Sequence, residues 1–460
     1  MTAGRRLALL AAIGAAMTGL TDAGLAVLQA PVHERDGQVA LAAALSLGAG
    51  LLWLGAVRLV RAGEVPRTCV WLVLAVALAM RALTFMAPPL LSTDVFRYVW
   101  DGRVQTAGIS PYRFVPAAPE LTFLRDDAVF PRINRADSAV TIYPPAAQAL
   151  FAAVALVAPG LAGMRAVMAG FDLLAIGGLL LALRVAGRPA PEVLIYAWAP
   201  LPVWEFAGNA HIDAVAAGLL PLALLAAARE RRALAGVVLA IATLTKFLPG
   251  VVLPAVWRRG DWRLPAASAL LAAALYAPYV ASGANVAGFL PGYLSEEGIG
   301  SGNGIFLLQL AARAGLPSGG AAAVYAFVVL AGLGWLTWRA AAGTWPTEAG
   351  ARVSAMAGHA VSLAAFLLAA VSPHYPWYFG WLVPLTCLAP RGFALWLIAA
   401  APLLVLGPIE HLAIPALVYG PAGLALFCPG RCEWTKVFAS FFKKKRLLAL
   451  KRQGQRDERK

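Results

Sequence analysis

The densest chemistry in this chain lies between residues 92 and 145. It reads Ser92-Thr-Asp-Val-Phe-Arg-Tyr-Val-Trp-Asp-Gly-Arg103, then Gly108-Ile-Ser-Pro-Tyr112, Asn134-Arg135 and Thr141-Ile-Tyr-Pro-Pro145. Carboxylates, guanidinium groups and phenols are side chains of proton transfer and anion binding. A helix capped by Ser92 or Thr93 sets Asp94, Arg97, Tyr98 and Asp101 on one face, at i, i+3, i+4 and i+7. Phe96, Val99, Trp100 and Val104 form its apolar side, so the segment is expected at the membrane interface with its carboxylates turned from lipid. A plain surface helix, with an Arg97–Asp101 ion pair and Asp94 held by the helix dipole, fits the same spacing.

Further polar clusters interrupt otherwise apolar sequence. Asn209-Ala-His-Ile-Asp213 opens one apolar run, Lys246 breaks another, Glu296 and Glu297 lie in the 282–303 loop, and His374-Tyr-Pro-Trp-Tyr378 precedes a third run. Each has a structural account: Asn209 as a helix cap, the glutamates as solvated charges, and Tyr375 and Tyr378 as part of an interfacial belt. His211, Asp213 and Lys246 argue for more, because ionisable groups at membrane depth are unfavourable and mark functional sites.

The elements that must position these groups are membrane helices. The chain is 60% hydrophobic and 13% charged over 460 residues, with a mean hydropathy of +0.72. Such a composition does not pack into a soluble core, so the expected fold is an all-α polytopic membrane protein. The formal charge of +15 comes without any nucleic-acid-binding module, and anionic lipid is the expected partner in place of nucleic acid.

Basic short loops stay cytoplasmic, which orients the runs. Leu7–Leu28 is read as a retained first helix and not a cleaved signal. Arg5 and Arg6 inside, the His33–Asp36 loop outside and Arg58, Arg61 and Arg67 inside leave residues 90–163 as a long outer loop. Met164–Leu183 then crosses to Arg184 and Arg188, while Ala146–Val157 lies on the membrane. Val193–Phe206 and Ala210–Ala227 go out and back to Arg229–Arg232. Because Arg258, Arg259 and Arg263 are also inside, Ala233–Val256 is expected as a hairpin broken around Lys246 and Pro249. Crossings at Leu264–Val280, Gly320–Trp338, Val353–Val371, Pro376–Leu388, Phe393–Leu406 and Leu412–Phe427 bring the total to about twelve spans, with Glu410 and His411 outside and both termini inside. Residues 1–430 are thus one membrane domain. Residues 431–460 form a basic tail of about +8 expected on the anionic inner leaflet. Cys69, Cys387, Cys428 and Cys432 map near the cytoplasmic face and are expected as reduced thiols.

Taken in order, these motifs resemble the clan C (GT-C) glycosyltransferases: the Asp94 segment continuing as Tyr98-Val-Trp-Asp-Gly-Arg103, Tyr143-Pro-Pro145, Gly208-Asn-Ala-His-Ile-Asp213, Thr245-Lys-Phe-Leu-Pro249 and Ser372-Pro-His-Tyr-Pro-Trp-Tyr378. Within that clan they are most similar to the bacterial polyprenyl-phosphate-mannose-dependent mannosyltransferases, over roughly residues 92 to 384. The resemblance implies a GT-C-like bundle with interfacial helices in its first outer loop, in the plasma membrane and with an extracytoplasmic site. It implies inverting transfer of a hexose, mannose by the closest likeness, from a polyprenyl phosphate to a glycan or glycolipid. Asp94 is then the base. Arg103, His374 and Lys246 are the candidates for the lipid phosphate, and Tyr98, Tyr112 and Tyr143 for the sugar. Arg97, Asp101, Asn209, His211, Asp213, Tyr375 and Tyr378 complete the expected substrate-binding set. No cofactor is expected. Asp94 follows Thr93 and not a second acid, which leaves the use of a divalent metal open. A transporter or a polymerase of lipid-linked saccharides is the alternative.

Overall fold

The computed structural model describes residues 1–31, 35–407 and 412–427. The expected tail at 431–460, Glu410, His411, Cys428 and Cys432 fall outside these residues. Among the described residues all regular structure is helical.

The helices α1 (Ala3–Gln29), α2 (Arg35–Arg61) and α3 (Cys69–Met86) run up, down and up. At about 1.5 Å per residue each is long enough for a ~30 Å hydrocarbon core. Side chains tie their ends to backbone carbonyls. Arg6 donates to Ala62 and Glu64, and Arg35 to Leu28 and Leu90. The second pair marks one end of the bundle, here the loop end, from which the segment 90–160 springs. The other end carries Arg58 and Arg61 and is the basic end.

On the loop end α4 (Asp94–Thr106) and α5 (Pro145–Val157) pack together, and α6 (Leu161–Val185) crosses back. Arg165 secures the top of α6 by donating to the carbonyls of Phe85 and Ala87. At 13 residues, α5 is too short to cross. The lipid-facing side expected for α4 is corrected. Val95 through Gly102 are all buried, with Trp100 against Phe130 and Phe96 under the Arg132 guanidinium. The 113–135 loop folds over the apolar stripe, so that stripe faces protein.

From the basic end the chain rises through α7 (Leu194–Ala197) and a π-helical turn, Pro202–Gly208, then bends by 116° into α8 (Asp213–Ala228). Pro200 and Pro202 interrupt the run, since proline lacks an N–H and disfavours helix in the residue before it. α8 is buried on nearly every side and forms the centre of the bundle. Next, α9 (Arg232–Thr243) climbs to a break at residues 244–247 and α10 (Leu253–Val256) descends. Arg232 and Asp261 lie 3.7 Å apart at its base, so this is the hairpin the charge pattern requires.

The remaining helices are α11 (Arg263–Ala281), α12 (Leu290–Glu296), α13 (Phe306–Arg313), α14 (Ser318–Ala342), α15 (Ala349–Val371), α16 (Leu382–Leu388), α17 (Gly392–Ala400) and α18 (Ala413–Phe427). α11 and α14 bury little of themselves and expose Leu270, Phe327, Leu330 and Trp338, an apolar surface suited to lipid. At the basic end, Arg352 at the start of α15 pairs with Glu230 between α8 and α9.

Of the about twelve expected spans, not all are continuous helices among the described residues. Seven described helices are long and apolar enough to cross a membrane, and the bent pair at the π turn makes an eighth. Pro376 and Pro384 divide the 376–388 run into a 3-10 turn and α16, and Gly392–Leu406 is short and ends in 3-10 winding around Pro402. Sequence hydropathy registers the apolar length of such runs and is blind to their broken backbone.

Candidate active site

At the loop end lies a cavity of ≈ 870 Å³, walled by the start of α4, the 134–144 loop, the tip of the α9–α10 hairpin, the region around α12 and the chain that follows α15. Asp94 opens α4, where the helix dipole favours an anion. Its amide donates to Ser92 Oγ at 3.2 Å, while Thr93 occupies the cap position without a side-chain capping bond, so neither residue makes the expected cap in full. One carboxylate oxygen accepts from Asn134 Nδ2 at 3.2 Å; the other lies 3.5 Å from the Tyr143 hydroxyl and 3.7 Å from His211 Nδ1. Burial raises the proton affinity of Asp94 above the ordinary carboxylate range, against opposing pulls from Lys246, Asn134 and Arg135.

The rest of the α4 motif points elsewhere. Arg97 donates to Asp101 Oδ1 at 2.8 Å and to the Ala139 carbonyl at 3.1 Å. Asp101 also accepts from Thr141 Oγ1 at 2.5 Å and Gln148 Nε2 at 2.9 Å, which binds α4 to the 141–148 segment. Of these, only Arg97 reaches the cavity wall. Tyr98 is buried, stacked on Phe151, and accepts the Ile212 amide at 3.4 Å. Tyr112 donates to the Tyr143 carbonyl at 2.6 Å. Arg103 pairs with Asp126 at 2.8 Å and donates to the Leu124 carbonyl at 3.0 Å. None of Tyr98, Asp101, Arg103 and Tyr112 lines the cavity.

The bend between the π turn and α8 brings in the second motif. Ala210 takes the left-handed conformation (φ 58°), which lets residues 209–212 turn sharply. Asn209 accepts the Leu91 amide and donates to Glu205 at 3.2 Å. Glu205 was not among the expected site residues, although a lone acid in the apolar run 193–206 was the signal for it. Asp213 receives Lys246 Nζ at 2.7 Å, and the ammonium also lies 4.1 Å from the centre of the Tyr378 ring. The hairpin tip is held there by the Ala146 and Ala147 amides, both donating to Leu244.

A strap across the cavity completes it. Arg135 pairs with Glu296 at 2.7 Å, Tyr293 and Tyr378 share a 2.6 Å hydroxyl contact, and His374 lies between Glu297 at 2.8 Å and the Gly304 carbonyl at 2.9 Å. Burial disfavours a charged His374, but two acceptors facing its two nitrogens outweigh that and raise its pKa. Tyr375 stacks on Trp377 with centroids 4.5 Å apart. Glu297, Tyr293, Asn134, Arg135 and Trp377 therefore join Asp94, Tyr143, Lys246, His374, Tyr375 and Tyr378 on the wall. Among the described residues no group of three or more His, Cys, Asp or Glu side chains is arranged to hold a metal ion.

A carboxylate of raised proton affinity, facing cationic groups and aromatic rings at the end of a bundle of long apolar helices, makes this cavity the candidate active site of a multi-pass membrane protein. Residues 2–258 match the MptA_B family, described as alpha-(1->6)-mannopyranosyltransferase, N-terminal domain, and the chain belongs to that family. It is a mannose-transferring glycosyltransferase, which sets the transporter alternative aside. Neither the curated proteins nor the solved structures give a match.

Proposed function

We propose that the chain transfers mannose from a polyprenyl phosphate to the 6-hydroxyl of a glycan or glycolipid, with inversion, on the extracytoplasmic face of the plasma membrane. The observation that carries this reading is Asp94 on the wall of a cavity that also holds Lys246, Arg135 and His374. A phosphate is already a good leaving group, so transfer needs a base for the acceptor hydroxyl and cations for the departing phosphate. Asp94 is the base. Its raised proton affinity brings it closer to the strength that proton abstraction near neutral pH requires.

Lys246, Arg135 and His374 are the phosphate ligands, and Arg103 leaves the set because Asp126 occupies it. Arg135 and Glu296 are 35% and 43% exposed, so their pairing is weak and a phosphate can displace Glu296. Leu90, Leu91, Phe247, Leu248 and Leu294 on the same wall suit the first prenyl units. Tyr143, Tyr375 and Trp377 offer rings to the pyranose. The outer orientation follows from the basic loops, which gather at the opposite end of the bundle. About twelve crossings, counting the broken runs, with the tail inside, complete the proposed topology.

The test is a donor comparison with purified protein in nanodiscs. Radiolabelled mannose is expected to move from polyprenyl-phosphate mannose, and not from a nucleotide sugar, into an α-1,6-linked product identified by linkage analysis. Transfer from the nucleotide sugar alone would overturn the reading.

A further inference from the structure

His211 lies in the bend at residues 209–212, is completely buried, and has no hydrogen-bond partner at either ring nitrogen among the described residues. Leaving a buried polar group unpaired is unfavourable, so its placement calls for an account. The ring is held flat against Trp377, with centroids 4.1 Å apart. Nδ1 faces Asp94 Oδ2 at 3.7 Å and Nε2 faces Glu205 Oε2 at 3.4 Å. Asn209 steadies Glu205 from one side, and the Leu91 amide steadies Asn209. These elements form a row, carboxylate, imidazole, carboxylate, whose first member alone reaches the large cavity. Both separations are slightly longer than hydrogen bonds, the usual state of such contacts before substrate tightens them.

We infer that His211 is the proton partner of Asp94, with Glu205 as the positioning residue that holds the ring from its Nε2 side and fixes its tautomer. The inference rests on the reading of Asp94 as the base. As the acceptor oxygen bonds to the sugar anomeric carbon, the bond from that carbon to the phosphate oxygen breaks and its electron pair leaves with the phosphate. The hydroxyl proton moves to Asp94 and on to His211 Nδ1, giving an imidazolium whose Nε2–H points at the Glu205 carboxylate. The proton returns through Asp94 to the departing phosphate, and the ring ends in its starting tautomer. The charged groups around His211 are Asp94 on α4, Glu205 on the π turn, Asp213 on α8 and Lys246 on the hairpin tip. Burial and Lys246 both disfavour a lasting imidazolium, so the ring hands the proton on and does not keep it.

The experiment follows transfer from labelled polyprenyl-phosphate mannose to a synthetic mannoside acceptor. His211→Ala should lower kcat by about tenfold or more with donor and acceptor KM unchanged, and added imidazole should restore much of it. Glu205→Gln keeps an oxygen for Asn209 but replaces the carboxyl that faces Nε2 with an amide, so kcat should again fall by about tenfold. In the double variant, imidazole should no longer rescue. A loss in His211→Ala that imidazole does not repair, or a Glu205→Gln variant with wild-type kcat, overturns the assignment. Should His211→Ala fail to fold, Glu205→Gln decides alone. Asp94→Asn run alongside separates the two readings. If it turns over normally, the base and its partner both fail; if it is inactive while Glu205→Gln is normal, only the partner fails.

Discussion

Two polar clusters lie deep in this bundle, and they are built to opposite standards. In the first, Arg81 on α3 makes a two-point contact with Asp172 on α6, at 2.7 and 3.0 Å, and also donates to the Ala197 carbonyl at 2.7 Å. Tyr196 donates to the same aspartate at 2.7 Å. Every strong donor and acceptor has a partner, and the group locks α3, α6 and α7 together. In the second, around the bend before α8, His211 has no hydrogen-bond partner at either nitrogen among the described residues, and one oxygen of Asp213 has none there. The first cluster stabilises the bundle and has nothing left over for a ligand. The second keeps unspent hydrogen-bonding capacity next to the large cavity. Saturation distinguishes them where burial and charge do not.

The largest expected effect, and the sharpest test of the comparison, comes from Asp94→Asn. It should keep the fold and lower turnover by ~10²–10⁴, because the amide preserves shape and loses the proton acceptor. Wild-type turnover in nanodiscs would remove Asp94 from the chemistry. Next comes the saturated cluster. Arg81→Leu strands Asp172 without its cation and should cost ~3–5 kcal/mol of stability, while Arg81→Leu with Asp172→Leu should recover most of that. Thermal unfolding reports both, and a stable double variant without turnover would show that the first cluster is functional too.

Smaller effects separate the two sides of α4. Arg135→Gln should raise donor KM about tenfold, the scale of one partly exposed charged hydrogen bond, with acceptor KM unchanged. Arg103→Ala should change either KM by about twofold or less, since it removes a half-exposed pair outside the cavity. The smallest effect is on the strap. Because the folded-state pKa of His374 is raised, its contribution is full below the unfolded value of ~6.5 and fades as pH rises through the folded value. Hydrogen exchange in residues 290–304, corrected for intrinsic rates, should therefore show less protection at high pH. Equal protection across that window would mean the Glu297–His374 pair does not hold the strap.

The sequence disclosed the bundle's composition, the loop that carries the site and the hairpin at Lys246, because hydropathy and loop charge are local quantities. It disclosed Asp94, Tyr143, Lys246, His374, Tyr375 and Tyr378 as polar groups at one end. It did not disclose which of them face each other. Arg103 lies nine residues beyond Asp94, and at ~100° per residue that is the opposite side of α4, an argument available from the sequence but not used. The fate of Phe96 and Trp100 was hidden for a different reason. A helix pattern shows an apolar stripe without showing whether lipid or the 113–135 loop will cover it. Glu205, Asp172 and Arg81 were missed because a single charge hardly lowers the hydropathy of a long run. Each was visible as an ionisable residue in an apolar segment.

The α9–α10 hairpin has a consequence for how the chain enters the membrane. Since both of its ends lie at the basic end, it leaves the orientation of every later helix unchanged, whether it is inserted early or late. Its tip carries a cation and a broken backbone that lipid cannot satisfy, and its partners there are Asp213 on α8, the start of α5 and Tyr378 beyond α15. The tip thus becomes stable only after Tyr378 has been synthesised and α15 is in place. A chain truncated before α15 is therefore expected to insert its earlier helices without assembling the site.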